Sequence, residues 1–342
     1  MATLTTRTGV RIITATTGGS PEAPTSLRSV IELAVRAPSA WNTQPWRFRI
    51  GEETIDVLAD RSRSLGPADP GDRELAVSCG AAIMNLRIAL TRARFTWLVD
   101  LLPTPANPDL FARLAVRRGG GGTRESDLLY EAVPKRYTVT GPMRSRPIDP
   151  TLLTTLSTIA AEEHGWMEYI AGDGPRREAA DLIEGAERKR WDDPAIRRTL
   201  GAWVRSSGAD VVDGIDPRAL GFGWFSRATA PSVVSRVSLG RRFARRARAQ
   251  AAQAPALAVL GTRSDNPRSW LAAGQGLQRL LLRAAAEGVQ AGFFSAPMQD
   301  AGARNSLAKL IGADGYPQLV LRLGYAERAP VTPRRPWQSS VA

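Results

Sequence analysis

The stretch Ala37-Pro-Ser-Ala-Trp-Asn-Thr-Gln-Pro-Trp46 is the most informative part of the chain. It places two prolines, a serine, two amides and two tryptophans between a predicted helix and a predicted strand. Prolines stiffen the backbone, while hydroxyl and amide groups offer donors and acceptors at set positions. The stretch predicts a stiff loop for a flat heteroaromatic ligand, with Ser39, Asn42 and Gln44 matching ring nitrogens and carbonyl oxygens. A structural interpretation, in which Asn42 caps a turn and Trp46 is core, explains the residues equally well.

The composition is that of an ordinary globular protein. Of 342 residues, 43% are hydrophobic and 23% are charged, which is enough for a substantial core. The length exceeds the ~250–300 residues at which one core stops growing, so one large domain and two smaller halves both stay open. We see no apolar stretch approaching the ~20 residues of a membrane span, and no signal peptide. We therefore expect a cytoplasmic protein without a membrane partner.

The chain holds one cysteine, Cys79, and one histidine, His164. An internal disulfide needs two cysteines, and zinc sites, Ser-His-Asp triads and Cys-His pairs need histidines beside suitable partners. His164 follows a predicted helix and precedes a predicted strand, which favours a helix-end or surface position. We therefore predict no metal site and no catalytic side chain, and expect a bound cofactor to carry the chemistry.

The net charge of +13 first suggests a nucleic-acid partner. Only three of the 46 basic residues are lysines, and the arginines are spread over almost every element, which a compositional bias explains without function. One local cluster lies on a predicted helix and could meet phosphate or an anionic surface, although a solvated helix face is the favoured interpretation. Its members are Arg236, Arg241, Arg242, Arg245, Arg246 and Arg248.

A weak internal repeat divides the chain into two similar halves. Each half has a short amphipathic helix, a Trp-bearing strand, a longer helix containing a glycine, and a closing strand. The paired elements are Ser26–Arg36 with Pro150–Glu163, Trp46–Ile50 with Trp166–Ile170, the helices of Gly80 and Gly274, and Ala112–Arg117 with Pro317–Arg322. Two similar halves suggest a chain that folds like a dimer of smaller units, with a ligand cleft between them.

The second half carries an insertion at about residues 172–255. It contains a predicted helix over Pro175–Trp191, another after Asp193, and the loop Gly221–Phe225. A lid over a site and a plain structural elaboration explain this insertion equally well. The predicted organisation is a flexible arm (1–25), a first half (26–118), a Gly-rich connector (119–126), a second half with the insertion (127–330) and a C-terminal tail (331–342).

The run Arg36–Trp46 resembles the flavin-contacting loop of the FMN-dependent nitroreductase family, whose usual pattern is P-S-x-x-N-x-Q-P-W. More narrowly, the chain resembles the actinobacterial Acg-type nitroreductase-like proteins. Supporting segments, in the expected order, are Leu58–Arg63, Ser78–Ala82, Leu321–Tyr325 and Thr332–Pro336. The resemblance covers about residues 26–336 and implies an α+β, nitroreductase-like fold that corresponds to a nitroreductase homodimer fused into one chain.

The resemblance also implies an FMN site shared between the halves. Residues of the first-half loop would contact the isoalloxazine ring and ribityl chain, basic residues of the second half and of the tail would hold phosphate, and a strand with its loop would pass along the ring. In this sequence the loop residues are Pro38, Ser39, Asn42 and Gln44; the phosphate residues are Lys135, Arg136, Thr138 and Arg334 or Arg335; and the strand residues are Gly292, Phe293 and Phe294, within Ala291–Ser295.

Two departures from the family pattern limit this expectation. The segment Val139–Met143 replaces a second basic, acid-containing run, and the second half lacks a P-S-x-x-N copy. We therefore expect at most one flavin per chain. The chain would be a monomer that contains an internal pseudo-dimer, or a homodimer of such chains.

Three functions follow, in order of preference. The first is an FMN oxidoreductase that takes electrons from NADPH or NADH and passes them to a nitro or quinone-type acceptor. The second is an FMN storage or sequestration protein in which the insertion covers the flavin and turnover is small or absent. The third, well behind, is a nucleic-acid binder.

Overall fold

A computed structural model describes residues 12–13, 27–205, 211–223, 226–327 and 332–342. Of the predicted N-terminal arm, only Ile12 and Ile13 lie among these residues, and Trp224 and Phe225 of the predicted 221–225 loop lie outside them. The strands are β1 Ile12–Ile13, β2 Trp46–Ile50, β3 Thr54–Ala59, β4 Phe95–Leu101, β5 Leu110–Arg118, β6 Gly165–Tyr169, β7 Ala256–Thr262, β8 Gln290–Phe294 and β9 Tyr316–Gly324. The α-helices are α1 Leu27–Ala34, α2 Arg73–Arg92, α3 Arg124–Ala132, α4 Pro150–Glu162, α5 Asp173–Asp192, α6 Pro194–Ala202, α7 Ala230–Arg236, α8 Gly240–Ala252, α9 Pro267–Ala286, α10 Ala296–Gln299 and α11 Ala301–Leu310.

Two antiparallel sheets organise the chain. The first has the strand order β1-β4-β5-β3-β2, and the second has the order β6-β7-β9-β8. Residues of α1 and α2 pack on the first sheet around the fully buried Trp46 and Phe48. Residues of α4 and α9 pack on the second sheet around Leu156 and Leu280. Each sheet therefore has its own hydrophobic core, and the α+β class expected from the sequence is confirmed.

Helices α2 and α9 lie side by side at the centre of the molecule. Among the described helices, α2 alone is long and apolar enough to cross a membrane by length and composition, but 83% of its most apolar window is buried inside the protein. The sequence prediction that no stretch approaches this length was therefore too strict. Burial against the sheet on one side and α9 on the other accounts for its apolar composition.

The four glycines of the predicted connector, residues 119–122, lie between β5 and α3, but its last three residues, 124–126, form the first turn of α3. A capping box opens α3: Thr123 Oγ1 accepts from the Ser126 amide at 3.0 Å, and Ser126 Oγ accepts from the Thr123 amide at 2.8 Å. The chain then passes along β8, where Thr138 forms a parallel bridge with Ala291. This course brings residues 136–141 beside the second sheet.

The insertion and the tail both return to the first half. Trp191 of α5 and Phe243 of α8 belong to a hydrophobic cluster against which Ala40 and Trp41 pack. At the C-terminus, the Ala342 amide donates to the Phe48 carbonyl at 2.8 Å, beside β2. Both segments therefore converge on the loop Ala37–Trp46.

Candidate functional site

A cavity of about 640 Å³ lies where the 37–46 loop, the second sheet, the insertion and the tail meet. This volume falls within the ~300–1,000 Å³ typical of small-molecule sites. Its walls combine apolar and aromatic residues with seven arginines and three carboxylates. The charged lining residues are Arg73, Arg136, Arg190, Arg218, Arg246, Arg322, Arg334, Glu74, Glu187 and Asp216. Arginine excess makes the cavity suited to an anionic ligand.

The 37–46 loop reaches the cavity through a strained backbone. A 3-10 turn covers Ala40–Asn42, and the φ angles of Trp41, Asn42 and Gln44 are 51°, 52° and 51°. Left-handed backbone at residues other than glycine is unfavourable, by about 1–2 kcal/mol each. Such strain persists only where surrounding contacts fix it, and it is concentrated at ligand sites. The surrounding fold therefore holds the loop in this conformation.

Asn42 uses its whole side-chain amide to hold other segments in place. Its Nδ2 donates to the Gly214 carbonyl and to the Pro333 carbonyl, each at 3.1 Å, and its Oδ1 accepts from Arg334 Nη1 at 3.1 Å. Asn42 lines the cavity, but its polar atoms join the insertion and the tail to the loop. The sequence left open a ring contact and a turn-capping role for Asn42; in this structure its amide atoms bond the insertion and the tail.

Gln44 plays a similar part outside the cavity. Its side chain is fully buried, its Nε2 donates to the Val212 carbonyl at 2.9 Å, and its Oε1 accepts from the Arg335 amide at 2.9 Å. Ser39 supports the same turn, since its Oγ accepts from the Gln44 amide at 3.0 Å. The conformation of the loop and the position of the tail therefore depend on each other.

Two arginines bring positive charge to this part of the cavity. Arg334 Nη2 donates to the Ala37 carbonyl at 3.1 Å, while its Nε is buried without a hydrogen-bond partner among the described residues. The Nε of Arg136 is likewise buried and unpartnered there. Burial lowers the pKa of Arg136 to about 10, and burial with the charges of Arg136 and Arg36 lowers the pKa of Arg334 to about 9. Both remain cations at neutral pH, and neither forms an ion pair with a carboxylate among the residues that the structure describes.

The opposite wall comes from the insertion. Arg190 of α5 is 6% exposed, its Nη1 donates to Ser295 Oγ at 2.5 Å, and its Nε and Nη2 have no partner in the described part of the chain. One turn earlier, Glu187 Oε2 accepts from Trp191 Nε1 at 3.0 Å. Burial raises the pKa of Glu187, against the opposing effects of Arg190 and of this hydrogen bond.

Aromatic rings connect this wall to the loop. The ring centroids of Trp41 and Trp191 lie 6.0 Å apart, and those of Trp191 and Phe243 lie 4.5 Å apart. All three residues line the cavity. The insertion therefore contacts the 37–46 loop beside the cavity through a cluster of tilted aromatic rings.

The cavity brings together eight of the residues selected from the sequence. These are Pro38, Ser39, Asn42, Arg136, Thr138, Phe293, Phe294 and Arg334. Gln44, Lys135, Gly292 and Arg335 lie outside its lining. Lys135 is exposed; its backbone amide donates to the Ala132 carbonyl at 2.9 Å and its carbonyl accepts from Gln290 Nε2 at 3.3 Å.

Gly292 permits a close approach of neighbouring segments in this structure. A Cβ atom there would lie 2.6 Å from the Val139 carbonyl oxygen and 2.7 Å from Arg322 Nε. The glycine therefore allows the 136–141 segment and the Arg322 guanidinium to approach β8.

Sequence reasoning missed the cavity residues of α2, α5 and α8. Glu74 is the least expected, because both its carboxylate oxygens are buried without a partner among the described residues. The aromatic and glycine content of the insertion was a signal for the α5 and α8 contributions, and the arginine cluster that includes Arg246 was a second signal for α8. No local pattern marked Glu74.

Comparison with known proteins identifies the family. Residues 203–325 match the family model described as "Nitroreductase family". "Putative NAD(P)H nitroreductase Rv3131" of Mycobacterium tuberculosis is 30% identical over 327 residues, which cover 92% of this chain and 90% of that protein. The chain therefore belongs to the nitroreductase family.

Within the family, the chain is an Acg-type nitroreductase-like protein. "Putative NAD(P)H nitroreductase acg" of M. tuberculosis is 28% identical over 320 residues, covering 91% of this chain and 93% of that protein. Among solved structures, an FMN and NADPH-dependent nitroreductase, NfnB, from a sphigopyxis strain matches with a TM-score of 0.41 and 20% identity, over 62% of this chain and 96% of that chain.

Proposed function

We propose that the chain binds FMN in this cavity and is an NAD(P)H-dependent oxidoreductase for nitro or quinone-type acceptors. The observation that carries the proposal is a pair of half-buried arginines, Arg136 and Arg334, whose Nε atoms are buried beside the predicted flavin loop without hydrogen-bond partners among the described residues. A buried charged group without a partner is costly, and a phosphate group would satisfy both guanidinium ions. The donor set therefore fits a phosphorylated cofactor.

The chain's own residues would divide the work of binding. Arg136 and Arg334 would hold the phosphate, with the Thr138 hydroxyl beside them. Phe293 and Phe294 would supply apolar surface to the ring system, opposite the loop residue Pro38. Asn42 would act indirectly, because its amide already holds the tail that carries Arg334.

When bound, FMN would supply the electron-transfer chemistry between a nicotinamide nucleotide and the acceptor. The aromatic cluster of Trp41, Trp191 and Phe243 would exclude water from the site. Arg190 would add a positive charge to the cavity wall, with Nε and Nη2 free to donate hydrogen bonds because neither has a partner among the described residues. The names of the relatives, which refer to NAD(P)H nitroreductases, support the choice of donor and acceptor class.

The second candidate function is FMN storage with little or no turnover. It is favoured by the insertion, whose helices α5 and α8 contribute walls to the cavity and whose Gly214 carbonyl accepts from Asn42. An insertion held this firmly would keep a nicotinamide ring away from the flavin. We also propose the two-half organisation, with boundaries as predicted from the sequence, and a cytoplasmic location.

An anaerobic visible spectrum of the purified protein, followed during addition of NADPH, tests both functions. Flavin bands at no more than one FMN per chain, bleached by NADPH, are the expected result. Bands that persist would favour storage. A colourless protein that takes up no added FMN would contradict both functions, and tight, salt-sensitive DNA binding by it would establish the third hypothesis.

A further inference from the structure

The arginine cluster of α8 is divided between two faces of the helix. Arg241 and Arg245 are exposed, and Arg248 pairs with Asp181 at 2.6 Å. Arg242 and Arg246, one turn apart, point the other way: Arg242 Nη2 donates to the Gly221 carbonyl at 2.8 Å, and Arg246 Nη2 donates to the Thr140 carbonyl at 2.6 Å. Of these arginines, Arg246 lines the cavity.

The guanidinium groups of Arg242 and Arg246 converge on one point. A Cβ atom on Gly221 would lie 3.0 Å from Arg246 Nη1 and 3.3 Å from Arg242 Nη2. The φ angle of Gly221 is +83°, a backbone conformation that favours glycine. Because glycine has no side chain, the two guanidinium groups can approach its Cα. Arg246 lines the cavity, and the exposed Arg242 extends the charge to its rim.

A third cation lies deeper. Arg322 is 2% exposed, and its Nη2 donates to the carbonyls of Val139 and Gly141 at 3.0 and 2.7 Å. Burial, together with the charge of Arg246, lowers the pKa of Arg322 to about 10. Carbonyl groups satisfy these N–H donors but leave the charges uncompensated. No carboxylate in the described part of the chain pairs with Arg242, Arg246 or Arg322.

This cluster is separate from the pair assigned to FMN. Arg334 donates to Asn42 Oδ1 and to the Ala37 carbonyl, whereas Arg246 and Arg322 donate to carbonyls of residues 139–141. Residues 136–141 run between the two groups, from the first cluster to the carbonyls that Arg246 and Arg322 contact. FMN carries one phosphate group. The second cluster is therefore available to another anion.

We infer that Arg242 and Arg246 form a subsite for a phosphate monoester of the second substrate, the 2′-phosphate of NADPH, and so select NADPH over NADH. Arginine suits this group because its planar fork bonds phosphate oxygens in pairs. The position at the rim matches a group far from the reacting nicotinamide ring. The inference rests on the proposed function, because it gives the cavity a nicotinamide nucleotide as its second ligand.

Calorimetric titration of the oxidised, FMN-loaded protein with NADP⁺ and NAD⁺ tests the subsite without turnover. We expect NADP⁺ to bind at least about tenfold more tightly than NAD⁺. The double variant Arg242→Ala/Arg246→Ala should lose this preference and retain its FMN. The matched variant Arg241→Ala/Arg245→Ala removes the same charge from the other face of α8 and should behave as wild type.

Several results would overturn the inference. Equal binding of both nucleotides, binding of neither, or an equal loss in the matched variant would each contradict it. Loss of FMN from the double variant would assign these arginines to the flavin phosphate, and equally tight binding of inorganic phosphate would indicate a general anion site. If the double variant fails to fold, Arg242→Glu at the exposed rim should alone reverse the preference. A failure of FMN binding itself is visible in the spectrum before any titration.

Discussion

Gly80 of α2 and Gly274 of α9 pack backbone against backbone where the two central helices meet. A Cβ atom on Gly80 would lie 3.0 Å from Gly274 Cα, and one on Gly274 would lie 2.9 Å from Gly80 Cα. Each Cβ would also overlap a carbonyl oxygen of the other helix, that of Leu271 or of Val77. These two glycines occupy equivalent places in the internal repeat. The contact therefore joins the helix that packs on the first sheet to the helix that packs on the second.

Gly80→Ala should destabilise the protein by about 1–3 kcal/mol, because the added methyl group meets backbone that cannot move aside. This loss exceeds the ~1 kcal/mol that alanine gains over glycine in helix propensity. Denaturant unfolding at a fixed FMN concentration measures the change. Gly185→Ala is the matched control: Gly185 is exposed within α5 and open space surrounds it. Gly185→Ala should stabilise the protein by about 0.5–1 kcal/mol. Equal changes in the free energy of unfolding at both positions would contradict the packing argument.

Local patterns predicted much of this fold. The strand Trp46–Ile50 begins and ends where the Trp-bearing element of the repeat placed it, and the glycine helices and closing strands also lie where the repeat placed them. These features depend on the period of each element, which neighbouring residues encode. The element types were therefore accessible from the sequence.

The arrangement of the site could be predicted only in part from the sequence. The loop motif and Arg136 could be found from a pattern, but the partners of Asn42 lie 172 and 291 residues away, at Gly214 and Pro333. Such contacts depend on how distant segments return, and no local period encodes that. The same limit explains why Gln44 was expected in the site rather than beneath it.

Asp69 should make stability depend on pH. Burial, followed by the negative charge of Glu74, raises the pKa of Asp69 to about 6. Between pH 4 and 6 the folded state then binds a proton that the unfolded state has lost, so the free energy of unfolding falls as pH rises through this window. Asp69→Asn cannot ionise, and its stability relative to wild type should therefore rise by up to about 3 kcal/mol from pH 4 to 7.

The measurement is the free energy of unfolding of wild type and of Asp69→Asn across this pH range. Asp314→Asn, at an exposed position, is the control variant. The free energy of unfolding of this control variant should change with pH as that of wild type does. Parallel curves for Asp69→Asn and wild type would show that Asp69 has no raised pKa.

Substitution of Asn42 should act on FMN through the tail. Asn42→Ala combined with Ser39→Ala removes three hydrogen bonds of the Asn42 amide and the support of the Gln44 amide. We expect lower FMN occupancy together with faster amide hydrogen exchange in residues 332–336. Asn107→Ala, which alters a turn of the first sheet, should change neither. Lower occupancy with unchanged exchange would instead indicate direct contact between the loop and the flavin, and unchanged occupancy would remove the loop from the site.

Arg136→Ala should weaken FMN binding by about 1.5–3 kcal/mol, the contribution of a hydrogen bond to a charged group, or roughly ten- to a hundredfold in Kd. Lys135→Ala changes the same charge one residue earlier, outside the cavity lining, and should leave Kd unchanged. Flavin fluorescence titrations with FMN and with riboflavin separate the phosphate contribution from that of the ring. Arg136→Ala should affect FMN alone, because riboflavin has no phosphate for the guanidinium to bind. An equal loss for both flavins would mean that Arg136 shapes the cavity, and full retention of FMN would place the phosphate elsewhere.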